Sequence, residues 1–388
     1  MGKQLAASRC DGMESRGERR RQGSAATARR IPTAASNERV RGMQTSSIKR
    51  QPGEGCGEAS GVGAGLVAVV IPYYQREAGI LARALRSVSA QDWPRERLRV
   101  YVVDDGSPQP AARELAQVPE IADRVCLIQQ RNAGPGAARN AALDRMDSDV
   151  VWIAFLDSDD EWMPDHLSKA ILALSQGYDA YFADFYQLDQ QVSAFSRAGR
   201  IDPLRHLALP YGESLFEYVG DMTRQILTGN VIGTSTVVLR QGTIAEVRFR
   251  NEYRRAGEDY LFWLALAQRG ARFCFGARPS VRYGRGVNVY SGARWGTAAF
   301  TATAQDELRF KLACLRELDV AEDLRHHLMR DVERLRDAWV AGCLHRVLRL
   351  RPMPLREVLR QRRLDPRLWQ RLARALAAKV GLGRSSPN

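Results

Sequence analysis

The chain has 388 residues and a formal net charge of +14, from 58 Lys and Arg against 44 Asp and Glu. That length admits two or three domains, or one large α/β domain with extensions, and the basic balance implies attraction to nucleic acid, an anionic membrane surface or phosphorylated substrates. The six cysteines lie far apart with no CxxC pair, which argues against a zinc site and a disulfide framework and fits a reducing cytoplasm. No apolar stretch is long enough to span a bilayer, and the N-terminus lacks the apolar core of a secretory signal. A cytoplasmic location is therefore expected.

Residues 1–63 are rich in Arg, Ser, Ala and Gly and lack apolar periodicity. Such a segment cannot bury enough surface to offset its ordering entropy and is expected to be disordered, either as a basic arm or as an upstream extension. Order starts at Leu66. The apolar run Leu66 to Ile71 predicts a buried parallel strand ended by Pro72-Tyr73-Tyr74. Helical spacing follows at Leu81, Leu85 and Val88. Leu98 to Val103 predicts a second strand, stopped by Asp104-Asp105-Gly106-Ser107-Pro108, with a helix around Ala111 to Val118. Arg124 to Gln129 predicts a third strand, and Asn132 to Gly136 leads into a helix through Met146. Val150 to Leu156 predicts a fourth strand running into Asp157-Ser158-Asp159-Asp160. This alternation predicts an α/β fold with a mostly parallel sheet and helices on both faces.

Beyond it, Ala180 to Tyr186 and Thr234 to Leu239 read as strands and Glu258 to Gln268 as a helix. From Gln305 the pattern is helical, with one stripe at Leu324, Leu328, Val332, Leu335 and Trp339. Asp365-Pro366 begins a last helix carrying Leu368, Leu372, Leu376 and Val380 with Arg-rich flanks. That helix suits either an anionic membrane face or an ordinary packing contact. The expected division is a basic disordered segment 1–63, a catalytic domain 64–300 and a basic helical extension 301–388.

The chemistry gathers at predicted strand ends, where ligands bind in open α/β sheets. Carboxylates clustered at Asp157, Asp159 and Asp160 repel one another unless a divalent cation joins them, and hard oxygen ligands suit Mg²⁺ or Mn²⁺. An acidic turn with Asp160 as N-cap and Pro164 in the first helical turn is the alternative. Glu258-Asp259 opens a helix, where acids also simply favour the dipole.

Several stretches in this order resemble glycosyltransferase family 2, of the GT-A fold, over Val67 to about Val287. They are Val69-Val70-Ile71-Pro72-Tyr73-Tyr74, Val102 to Ser107, Asn132 to Asn140, Phe155 to Asp160, Gly233 to Thr236 and Gly257-Glu258-Asp259-Tyr260. The resemblance implies transfer of a sugar from a UDP- or GDP-sugar to an acceptor hydroxyl with inversion, in polysaccharide or glycoconjugate synthesis, with a saccharide or lipid-linked acceptor. It implies that Pro72 and Tyr74 frame the nucleoside, that Asp104 accepts a hydrogen bond from the base, and that Arg139 faces the base or diphosphate. It implies Asp157 at the ribose or sugar, Asp159 on the divalent cation, and Asp259 as general base with Glu258 as second candidate. Gln75 departs from the Asn many members carry. His166 and His206 read as structural or exposed, Trp263 as core, and Gly284 to Gly286 as a mobile loop.

Two alternatives fit less of the chain. A sugar-nucleotide pyrophosphorylase predicts a Gly-rich loop with a Lys after the first strand, which Pro72-Tyr73-Tyr74 lacks. A basic RNA-binding protein predicts a motif with stacking aromatics, and none is evident, so no nucleic-acid partner is expected.

Overall fold

Val67 to Ile71 are all fully buried, and they form an interior strand of the sheet. A computed structural model describes residues 65–188, 190–254, 256–286, 294–351 and 353–380, so the disorder expected for residues 1–63 lies outside the described residues. The strands are β1 (Leu66–Tyr73), β2 (Leu98–Asp104), β3 (Val125–Gln129), β4 (Val150–Phe155), β5 (Glu161–Trp162), β6 (Ala180–Gln187), β7 (Leu207–Ala208), β8 (Leu215–Glu217), β9 (Val238–Arg240) and β10 (Phe273–Tyr283). The helices in the sheet-bearing part are α1 (Ile80–Ser89), α2 (Ala111–Leu115), α3 (Pro119–Ala122), α4 (Pro135–Leu143), α5 (His166–Leu174), α6 (Ala194–Ala198), α7 (Met222–Gly229) and α8 (Glu258–Gln268).

The sheet order is β3-β2-β1-β4-β9-β6-β10-β8-β7, with β5 pairing β10. β1 is parallel to β2 and to β4, and β10 is parallel to β6. Side chains of a strand alternate between faces, and β1 shows why its run is unbroken. Ala68 and Val70 enter one core with Ala138 and Phe262, while Val67, Val69 and Ile71 enter the other with Leu81, Leu85 and Leu167. Both faces are covered by helices, so neither can carry polar residues.

Register then fixes what meets at the carboxyl edge. Tyr73 pairs with Asp104 and Val70 with Phe155, so the loops after β1, β2 and β4 lie side by side. β10 makes the decisive crossing. Its register against β6 shifts between Gly276 and Val281, and beyond the shift Val281 and Arg282 pair with Trp162 and Glu161 of β5. That carries Gly284 onto the loop after β4.

One expected strand is corrected. Thr234 to Thr236 is a 3₁₀ turn, and only Val238–Arg240 is strand, antiparallel to β4 and β6. Its β-branched residues fit a strand, but the turn's side chains are committed to the acidic loop described below. Helix α1 shows a different economy. It has no side-chain cap of its own. Glu114 of α2, fully buried, accepts from Gly79 N at 2.8 Å and Ala82 N at 3.2 Å, and so satisfies orphan donors of the first turn.

The C-terminal part holds α9 (Ala298–Glu317), α10 (Glu322–Leu348), α11 (Leu355–Leu364) and α12 (Leu368–Val380). The whole stripe Leu324, Leu328, Val332, Leu335 and Trp339 is buried. Each such leucine stabilises by about 1.5–3 kcal/mol relative to leaving it in water. Leu368 is fully buried and packs with Leu372 against Trp339, Val340 and Cys343, so this side of α12 is a packing face. Arg371 is likewise turned inward, paired with Glu333, Asp337 and Asp365. Trp369 and Leu376 remain exposed. Among the described residues no helix is long and apolar enough to cross a membrane.

Candidate active site

The loop after β2 is built by its two acids. Asp104 Oδ1 accepts from Ser107 N at 2.8 Å and Oδ2 from Ala111 N at 3.0 Å, which ties the strand end to the start of α2. Asp105 reaches the other way. It accepts from Gln130 Nε2 and Ala133 N at 2.7 Å and from Gly134 N at 2.8 Å, and so pins the glycine-rich turn before α4. Both acids are buried, and each oxygen is met by a donor, as burial of a charge requires.

Gln75 connects the loops after β1, β2 and β4. Its backbone N–H donates to Ser107 Oγ at 2.9 Å, and that hydroxyl donates back to Gln75 O at 2.9 Å. Its side-chain amide donates to Ser158 Oγ at 3.1 Å, between Asp157 and Asp159. Pro72 is buried at the end of β1 and Tyr74 is half-buried beside it.

In the loop after β4, Asp157 is the open member, with a third of its side chain exposed. Its backbone N–H donates to Ser235 Oγ at 3.0 Å. The Ser235 hydroxyl donates to Asp160 Oδ2 at 2.5 Å, and Gly284 N donates to Asp160 Oδ1 at 2.9 Å. Asp160 therefore locks β10 and the Gly233–Thr236 turn onto the acidic loop, and it caps no helix; α5 starts after Asp165. Burial first, then Asp159, pushes the Asp160 carboxyl well above the usual range. Asp159 is pushed up to about 6 by burial, then by Asp157. A Cβ at Gly284 would lie 1.8 Å from Asp159 O, and one at Gly286 would lie 2.7 Å from Asp159 Oδ2. The close approach of backbone to this loop is the physical reason for glycine there; the continuation, 287–293, lies outside the described residues.

Gly257, at φ +96°, turns the chain into α8 so that Glu258 and Asp259 open the helix. Thr234 donates to Asp259 Oδ2 at 3.3 Å and Tyr260 N to Oδ1 at 2.8 Å. Burial raises the Asp259 carboxyl, against the pull of Arg139. Burial, then Asp259, lifts Glu258 to about 8. The sign of the linkage is fixed by that shift. A carboxyl raised from its ordinary 4.5 to about 8 favours the fold while protonated, and that stability is lost as pH rises from 4.5 through 8. Glu258→Gln is therefore expected to melt above the wild type at pH 9, with the gap closing toward pH 5, as followed by thermal unfolding at the two pH values. An equal gap at both would show that Glu258 is not held protonated.

Arg139 joins the two acidic groups. The resemblance sets it against the base or diphosphate, whereas its guanidinium is turned inward and only 2 % exposed. Nη2 donates to Asp157 Oδ1 at 2.6 Å, Nη1 lies 3.6 Å from Glu258 Oε1, and the group sits 5.2 Å from the Phe249 ring centroid. Three buried or half-buried acids face it, and only an always-charged fork can balance them.

Of the residues anticipated, Asp104, Arg139, Asp157, Asp159, Glu258 and Asp259 thus fall along one continuous edge, linked through Gln75, Ser158 and Arg139. Gln75 was legible only as a departure. Asp105 and Ser235 have no assigned role in the sequence reading, although each lies inside a motif singled out there, and Asp160, expected in the cation cluster or as an N-cap, instead ties Ser235 and Gly284 to the loop. His166 is buried, bonded to Ser280 Oγ at 2.9 Å and pulled down to about 3 by burial, and Trp263 is fully buried. Among the described residues no three His, Cys, Asp or Glu close a complete cation cage. Asp159, with Asp157 beside it, offers hard oxygen donors of the kind Mg²⁺ or Mn²⁺ shares with phosphates.

The family model of Glycosyl transferase family 2 matches residues 68–243. The succinoglycan biosynthesis protein ExoW of Rhizobium meliloti is 37 % identical over 226 residues, covering 57 % of this chain and 70 % of that protein. The putative teichuronic acid biosynthesis glycosyltransferase TuaG of Bacillus subtilis is 27 % identical over 208 residues, covering 53 % and 73 %. Among solved structures, S. aureus TarS 1–349 in complex with UDP-GlcNAc superposes with a TM-score of 0.51 at 18 % identity, over 71 % of this chain and 79 % of that one, a likeness of fold. A mixed sheet with parallel long pairings, this carboxyl-edge constellation and a relative matched over most of its length lead to one conclusion: the chain belongs to glycosyl transferase family 2 and has the GT-A fold.

Proposed function

We propose that the chain transfers a sugar from a UDP- or GDP-sugar to an acceptor hydroxyl with inversion, in the synthesis of a polysaccharide or glycoconjugate. The observation that carries this is the Arg139 bridge, which holds Asp157 of the β4 loop and Glu258 of α8 within one side chain's reach. Donor-side and acceptor-side acids can then act on the same anomeric carbon. The names of the relatives, for succinoglycan and teichuronic acid synthesis, support the polysaccharide setting.

In this reading Pro72, Tyr74 and Asp104 take the nucleoside and Asp157 the ribose or sugar. Asp259 accepts the acceptor's proton as its oxygen attacks the anomeric carbon. The bond from that carbon to the diphosphate oxygen breaks, and its electron pair leaves with the diphosphate. Inversion follows because attack and departure are on opposite faces. Asp159 would hold a Mg²⁺ or Mn²⁺ ion, which supplies positive charge to the leaving diphosphate. Burial raises the Asp259 carboxyl, which suits proton acceptance near neutral pH. The sheet-bearing residues to about 300 would form the catalytic domain, with the helices beyond as an extension. The separated cysteines fit a cytoplasmic setting. Peripheral contact with an anionic membrane would use the side of α12 that exposes Trp369 and Leu376.

A mass-detected screen of UDP- and GDP-sugars for hydrolysis, with and without Mn²⁺, tests the reading. Turnover of at least one donor, increased by Mn²⁺, is expected. Neither turnover nor binding with any donor would overturn it in favour of a non-enzymatic basic protein.

A further inference from the structure

The acids are not the whole of the carboxyl edge. Tyr283 ends β10, and the chain runs from it straight into Gly284, whose N–H is bonded to Asp160. Its ring lies flat against Phe185 of β6, with ring centroids 4.3 Å apart and planes 21° from parallel. Both rings are half-buried. The stack fixes where the hydroxyl oxygen sits, because a phenol on a held ring keeps only the rotation of its O–H. It sits on the turn before β9: a Cβ on Gly233 would lie 2.3 Å from the Tyr283 oxygen and 3.0 Å from Phe185 Cε1. The next two residues of that turn are Thr234, bonded to Asp259, and Ser235, bonded to Asp160 and to the backbone N–H of Asp157. The hydroxyl therefore rests against the turn that joins the acids of the β4 loop to the acid of α8.

The electrostatics agree with that placement. Burial first, then Asp160 and Asp157, hold the Tyr283 hydroxyl well above its ordinary pKa, and Asp259 adds to the push. The phenol thus keeps its proton at neutral pH. The backbone N–H of Ser235 faces its oxygen, while its own O–H donates to no acceptor among the described residues. Neighbouring donors are already spent. Thr234 and Ser235 give their protons to Asp259 and Asp160, and the Arg139 guanidinium is turned inward onto Asp157 and Glu258. Ionised carboxylates only accept, so the acids serve the hydroxyl protons of a sugar and leave its lone pairs unmet. A neutral O–H beside them supplies what they lack. We propose that Tyr283 is a further substrate-contacting residue, whose hydroxyl donates a hydrogen bond to an oxygen of the transferred sugar. Asp160 and Asp157 weigh on the hydroxyl more than Asp259 does, which puts it toward the donor side of the site rather than the acceptor side. This role rests on the transferase reading.

Tyr283→Phe removes one oxygen and keeps the ring on Phe185, so the variant is expected to melt with the wild type. The test is calorimetric titration of the full chain, with Mn²⁺ present, comparing UDP and GDP with UDP-glucose, UDP-N-acetylglucosamine and GDP-mannose. The variant is expected to bind the bare nucleotides as the wild type does. It is expected to bind the sugar nucleotide that the wild type holds most tightly about tenfold more weakly, the effect of one lost hydrogen bond. Phe185→Leu, which loosens the ring but keeps the hydroxyl, is expected to show a smaller loss, again for the sugar nucleotide alone. A loss in Tyr283→Phe that is equal for nucleotide and sugar nucleotide would mean that the hydroxyl only braces the turn. Unchanged affinity for both would mean that it does not touch the transferred sugar. Either result overturns the proposal while leaving the transferase reading intact. Failure of the wild type itself to bind any of these ligands would sink the transferase reading, and the role of Tyr283 with it.

Discussion

Asp259→Asn is expected to lower kcat for sugar transfer by about 10²–10⁴-fold while leaving donor binding near the wild-type level, because the amide cannot take the acceptor's proton. The substitution is close to isosteric. The Asn oxygen can still accept from Tyr260 N, now at 2.8 Å from Oδ1, and the Thr234 contact at 3.3 Å is the weaker of the two. The fold should therefore survive, and UDP titration beside steady-state kinetics separates lost chemistry from lost binding. Glu258→Gln provides the contrast. Glu258 is held protonated to about pH 8 by burial and by Asp259, so at pH 7 it is the poorer proton acceptor, and its replacement should cost less in kcat. If Glu258→Gln were the more damaging substitution at pH 7, the two acids would have exchanged roles.

Arg139→Met is expected to be the most damaging change to stability, by about 3–5 kcal/mol, because breaking a buried pair from one side leaves uncompensated charge behind. Asp157 and Glu258 would then face each other without the cation between them, and the Phe249 ring would lose the guanidinium beside it. Urea unfolding of the single variant and of Arg139→Met/Asp157→Asn checks this. The double variant should recover part of the loss, since the orphaned Asp157 carboxylate is gone. Arg139→Lys should recover little, because an ammonium cannot span Asp157 and Glu258 with one planar group. A single variant that unfolds with the wild type would show that the bridge carries no energy, and the link between the two halves of the site would lose its meaning.

The tie that joins Asp160 to Ser235 and Gly284 was beyond reach of the residue pattern, since its members come from positions 160, 235 and 284 and share no spacing. Arg139 shows a related limit. Its type and place after the glycine turn were legible, but whether it faced outward to a ligand or inward to Asp157 was not. Thr234 to Thr236 misled in the opposite way: Thr-rich residues favour strand, and here a side-chain bond from Ser235 to Asp160 outweighed that preference. β-propensity spans about 1 kcal/mol between residue types, whereas a buried donor or acceptor left unmet costs about 1–3 kcal/mol.

Local order was set by the chain itself. The buried runs of β1, β2 and β4, the alternation with helices, the stripe of α10 and the acids at strand ends all follow from periodicity, which is a property of neighbours along the backbone. Which acids meet, which of them stay protonated and which arginines are spent inside the fold were decided by register and by β10 crossing onto the loop after β4. Charge and solvation depend on distances between residues far apart in the chain, and those distances exist only once the sheet has closed around them.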